Sequence, residues 1–108
     1  MKVTDVIKVP ALKDMKILAG EKGCHREIET VNMMDAPDII PYLKPNEFLI
    51  TTAYHFKDQP LLLRELVKKM ADRNCAALGV KMKRYLEEIP NEVFIAADEL
   101  GLPIIEIP

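Results

Sequence analysis

Cys24, His25, His55 and Cys75 together hold the atoms of a Cys₂His₂ zinc site, and the same thiols and imidazoles could pair as nucleophile and base. Their spacing argues against both. Adjacent Cys and His side chains diverge, and the chain has no close-spaced pair of cysteines or of histidines. A thiol becomes nucleophilic only with a base or cation beside it. Cys75 stands directly before the apolar run Ala76-Ala77-Leu78-Gly79-Val80, where a packed core thiol is the plainer reading. Two cysteines so far apart make neither a redox motif nor a disulfide framework, and both are expected as reduced thiols.

Oxygen chemistry is the next candidate. Asp35, Asp38 and Glu47 could pair for acid–base work or hold a hard cation, while Asp35 and Asp38, flanking Pro37, also have the placement of ordinary turn and capping residues. Gly20 and Gly23 resemble a phosphate cradle only superficially. The residues after them read as extended and no Gly-Lys-Ser/Thr follows, so a turn is expected. Lys81-Met82-Lys83-Arg84 with Tyr85 is a basic cluster beside an aromatic, too short for a nucleic-acid face and expected as a solvated loop. Asp98 and Glu99 break a local rule: they fall in the last turn of a helix, where the dipole disfavours negative charge. Solvent exposure or a lysine partner is the simple account, an interaction the alternative.

The elements that position these residues follow from periodicity. Thr4 reads as the N-cap of a short helix through Lys8, ended by Pro10. Ile17-Leu18-Ala19 reads as a strand, residues 20–23 as a turn, and Ile28 to Met34 as a second extended segment broken at Asp35-Ala36-Pro37-Asp38. From Phe48 the rhythm becomes regular. A strand Phe48–Thr51 leads to a helix from about Pro60 to Arg73, whose apolar stripe is Leu62, Leu63, Leu66, Val67 and Met70. A strand Ala76–Val80 follows, then a helix with Asn91 as N-cap and Gly101 as its left-handed C-terminal residue, then a strand Ile104–Ile107. Nearly all-apolar strands alternating with amphipathic helices define the α/β class: one domain over residues 1–108, a mostly parallel sheet with a βαβαβ C-terminal half and helices packed on it.

Open parallel sheets bind ligands outside the carboxyl ends of their strands. Here those ends are Thr51-Thr52 and Lys81, with Asp35 after the earlier extended segment. Asp35, Glu47, Thr51, Thr52 and Lys81 are therefore the expected ligand-binding residues, a set suited to a small polar heterocycle or carboxylate. The alternative is that both threonines only finish a strand and Lys81 points to water.

Composition narrows the function classes. About half the residues are hydrophobic and 30% charged, the balance of an ordinary globular domain. Fifteen Lys and Arg against seventeen Asp and Glu give a formal charge of −2, which provides no field to gather polyanions. No direct nucleic-acid partner, no metal and no cofactor is expected. The start lacks the apolar run of a signal peptide and no stretch approaches a membrane span, so a cytoplasmic protein is expected. Pro108, directly after a strand with no capping element, reads as a cut from a longer chain.

The order of several short stretches resembles the N-terminal domain of PucR-type bacterial transcription regulators. They are Val3-Thr4-Asp5-Val6 with Pro10-Ala11-Leu12, Leu18-Ala19-Gly20 with Gly23, Glu47-Phe48-Leu49-Ile50-Thr51-Thr52, and Ala76-Ala77-Leu78-Gly79-Val80. Tyr85-Leu86-Glu87-Glu88-Ile89-Pro90 and the closing Ala96-Ala97-Asp98-Glu99-Leu100-Gly101-Leu102-Pro103-Ile104-Ile105-Glu106-Ile107-Pro108 are the strongest. The chain departs from the family pattern at Ala53, where glycine is usual, at Lys44-Pro45-Asn46, where a Gly-rich turn is common, and around Asp35-Ala36-Pro37-Asp38-Ile39. The resemblance implies a non-catalytic regulatory input domain, placed before a middle region and a C-terminal helix-turn-helix, and by fold analogy similar to the N-terminal domain of bacterial HPr kinase. It implies as partners a small-molecule effector, the downstream domains and a possible second copy. A small freestanding enzyme and a purely structural dimerisation module are the competing classes.

Overall fold

The computed structural model describes residues 1–7, 15–35, 39–81 and 88–107. Helix α1 (Val3–Ile7) precedes strands β1 (Lys16–Ala19), β2 (Thr30–Met33) and β3 (Glu47–Thr51). Helix α2 (Leu63–Asp72), strand β4 (Ala77–Lys81), helix α3 (Asn91–Leu100) and strand β5 (Ile104–Ile107) complete the chain. The five strands form one sheet in the order β1-β5-β4-β3-β2, parallel from β2 to β5, with β1 antiparallel on the far edge. The expected α/β architecture is the one observed.

The apolar runs are explained by burial on both faces. Leu49, Leu78 and Ile104 share a register row and pack beneath Leu63, Leu66, Val67 and Met70 of α2 and Val93, Ala96 and Ala97 of α3. Phe48, Ala77, Ile105 and Ile107 face the other way, toward Val3, Val6, Cys24 and Ile28. Alternation along each strand thus feeds two cores, which is why β4 reads as continuous hydrophobic sequence.

Three helix starts differ from those expected. Thr4 lies inside α1 and does not cap it. The Val3 and Thr4 N–H groups donate to the carbonyls of Arg26 (3.0 Å) and Cys24 (3.1 Å), and Asp5 reaches back to take the Lys2 N–H at 2.9 Å, so no orphan donor remains for Thr4. Lys8 and Pro10, the expected end of that helix, lie outside the described residues. The segment from Pro60 begins as a 3₁₀ turn, Pro60–Leu62, before α2 proper. Leu62 is consequently off the buried stripe and 46% exposed. Asn91 is already the first residue of α3. Pro90 holds the entry position with φ −56° and ψ 142°, and its carbonyl accepts the Val93 N–H at 3.0 Å. Gly101 ends α3 in the left-handed region at φ 63°, its N–H donating to the Ala97 carbonyl, as expected.

Candidate functional site

β2 and β3 run parallel in register, Thr30 beside Glu47 and Met33 beside Ile50, so both deliver their next residues to the same edge. Asp35 follows β2 by two residues and Thr51 is the last residue of β3. One oxygen, Asp35 Oδ1, accepts the Thr51 hydroxyl at 2.7 Å and the Thr52 N–H at 2.9 Å. Thr51 Oγ1 in turn accepts the Ala53 N–H at 3.1 Å. His55 sits 3.2 Å from the Asp35 carbonyl, the ring donating when protonated at Nε2. Partial burial pushes the Asp35 carboxyl up. The hydrogen bonds from Thr51 and Thr52 and the neighbouring His55 outweigh it, and the group is held below its ordinary range. Asp35 is therefore an ionised latch across the ends of two strands.

The five expected ligand-binding residues do not converge on one point. Asp35, Thr51 and Thr52 meet. Lys81, last in β4, reaches the same edge, but Thr51 registers with Val80, so the Lys81 side chain leaves from the opposite face of the sheet. Glu47 opens β3 and lies four residues before Thr51, about 13 Å away at the amino edge. It is 2% exposed, and its Oε1 has no hydrogen-bond partner. Asp38 and residues 82–85 of the basic cluster lie outside the described residues.

The thiols are ill suited to attack. Burial, with the Glu47 charge adding to it, pushes Cys75 up to about 11, and its Sγ–H donates to the Lys44 carbonyl at 3.4 Å. Burial, then the Glu21 charge, raises Cys24 as well. His25 contacts the Lys22 carbonyl (3.0 Å) within its own loop, and His55 contacts the Asp35 carbonyl in the loop after β2. Among the described residues no group of three or more His, Cys, Asp or Glu is placed to hold a metal ion.

Two polar anchors hold the amino edge. Asp98 Oδ1 accepts the Gly20 N–H at 2.7 Å, which accounts for its misplaced charge in the last turn of α3, and Lys22 Nζ donates to the Glu99 backbone carbonyl at 3.0 Å. Gly20 stands at φ 74°, and a Cβ there or at Gly23 would collide with the backbone of Gly101, Leu102 and Pro103, so the two glycines serve docking rather than phosphate binding. Arg26 spreads its guanidinium over the carbonyls of Gly101 (2.8 Å), Cys75 (3.2 Å) and Leu100 (3.4 Å). No local signal marks Arg26 in the sequence, because its partners lie 49 to 75 residues away.

Fold and site thus define a small, mostly parallel α/β domain closed at its carboxyl edge by an ionised latch, with protonated thiols. Residues 5–108 match the purine catabolism regulatory protein-like (PucR) family, and the chain belongs to it. Over all 108 residues it is 54% identical to the purine catabolism regulatory protein of Bacillus subtilis (strain 168). The chain spans 20% of that relative's length. The resemblance seen in the sequence is the relationship found. Among the described residues no helix is long and apolar enough to cross a membrane.

Proposed function

We propose that this domain is the non-catalytic input module of a transcription regulator of purine catabolism, and that a small polar effector acts at the carboxyl edge of its sheet. Family membership over residues 5–108 supports the regulatory role. The observation that carries the effector reading is the Asp35 latch: one carboxylate oxygen joins the ends of β2 and β3 through Thr51 and Thr52. A heterocycle offering N–H donors competes for that oxygen, while Lys81, on the opposite face of the sheet, takes no part in the site. The effector biases the downstream regulator by as much as its affinity differs between latched and unlatched forms.

Native mass spectrometry of the freshly purified chain, followed by calorimetric titration with a panel of purines and small carboxylates, tests this. A bound member of that panel, with affinity lowered by about 1–3 kcal/mol in both Asp35→Asn and Thr52→Val, is the expected result. Binding unchanged in both folded variants puts the site elsewhere, and no binding by any member removes the effector reading.

A further inference from the structure

α2 and α3 pack side by side on one face of the sheet, and each returns the chain from the carboxyl edge to the amino edge. Their outer surfaces enclose an open groove of about 490 Å³. Its α2 wall carries Arg64 and Lys68, one helical turn apart. Its α3 wall carries Glu92 and Glu99 around Ile95. Ile95 is 49% exposed and Leu100, at the end of the groove, 40%. Among the described residues no ion pair crosses the groove; Lys68 reaches only Glu65 of its own helix, at 3.9 Å.

We propose that this groove is the interface for a second copy of the chain, in a two-fold dimer whose axis runs along the groove. Rotation about that axis preserves helix direction and lays α2 of each copy over α3 of the other. Arg64 then meets Glu92 of the second copy, Lys68 approaches Glu99 of the second copy, and the two Ile95 side chains meet at the axis. The other two-fold arrangement, with its axis across the helices, sets α3 against α3 and brings glutamates together, a like-charge juxtaposition that interfaces avoid. The two walls are complementary in charge to each other, so a copy of the same surface satisfies both at once. Asp72 stands at the end of the basic wall and faces Glu99 of the second copy, which weakens the pairing. Two ten-residue helices make a small patch, so the dimer is a reversible one.

Sedimentation velocity over about a hundredfold range of protein concentration reads the association directly. The wild-type chain should pass from monomer to dimer, and less readily in high salt. Reversing one wall, Arg64→Glu with Lys68→Glu, should weaken association about tenfold or more, and adding Glu92→Lys with Glu99→Lys should restore it. Asp72→Lys alone should tighten it. Circular dichroism confirms that each variant is folded, and Ile95→Gln gives a milder probe should a charge reversal not fold. A chain that stays monomeric throughout, or a dimer indifferent to every one of these changes, overturns the proposal. The second outcome would direct attention to edge strand β2, where Val31 and Met33 are 61% and 57% exposed.

Discussion

Asp98 Oδ1 and the Gly20 N–H, 78 residues apart, meet at 2.7 Å and join the end of α3 to the turn after β1. A charged acceptor is worth about 1.5–3 kcal/mol in such a bond, while its place in the last helical turn forfeits about 0.3–1 kcal/mol. Asp98→Ala should lower unfolding free energy by about 1–2 kcal/mol in a urea titration. Asp98→Asn keeps the acceptor, removes the dipole conflict, and should change it by less than about 0.5 kcal/mol. An equal loss in both would show that the charge, not the hydrogen bond, is what matters.

Arg26 holds three carbonyls with one planar fork, and two of them, Leu100 and Gly101, belong to the end of α3. Lysine carries the charge but not the fork. Arg26→Ala should destabilise by about 2–3 kcal/mol, and Arg26→Lys should recover less than half of that. Hydrogen exchange should rise at Leu102 and at the first residues of β4 if the fork is the anchor.

The Asp35 latch predicts a pH dependence with a defined sign. Its carboxyl titrates lower in the folded chain than at the ordinary 3.8, so the ionised form stabilises the fold. That contribution is complete above the ordinary value and fades as pH falls through the lower folded one. Wild-type stability should therefore drop as pH falls below about 4 more steeply than that of Asp35→Asn, whose acid limb should be flatter. Parallel acid limbs would mean that Asp35 is not the titrating latch. Thr51→Val, which removes the donor to Asp35 and the acceptor of the Ala53 N–H, should cost about 1–3 kcal/mol at neutral pH.

Ala53 and Asn46 both adopt left-handed backbone, at φ 65° and 62°. Asparagine tolerates that region, so Asn46→Gly should be neutral within about 0.5 kcal/mol and Asn46→Val destabilising by about 1–2 kcal/mol. At Ala53, fully buried, glycine relieves about 1 kcal/mol of strain but removes a methyl worth about 0.8 kcal/mol, so Ala53→Gly should leave thermal stability nearly unchanged. Ala53→Val, β-branched and overpacked, should lower the melting temperature sharply.

Cys75, titrating near 11 in the folded chain, should resist alkylation at pH 8 and react at the rate of an ordinary thiol once the chain is unfolded in urea. Rapid labelling of the folded protein would revive a nucleophilic role.

Much of the fold was legible because its signals are local. Glycine, proline and apolar periodicity are properties of neighbouring residues, and they marked β3, β4, β5, the body of α2 and the Gly101 terminus of α3 close to where they stand. Family membership was likewise carried by the order of short stretches along the chain. Only the tertiary structure decided which strand ends meet. Parallel pairing brought Asp35 to Thr51 and Thr52, sent Lys81 to the opposite face, and left Glu47 at the other edge of the sheet, because register along a strand is set by its neighbours in space. The same holds for the start of α1, whose N–H groups found Cys24 and Arg26 instead of a local cap, and for Arg26 itself. The Asp98 anomaly was visible in the sequence as a conflict with the helix dipole. Its resolution was not, since the donor that answers it, Gly20, lies 78 residues away and is brought there by the packing of β1 and its turn against α3.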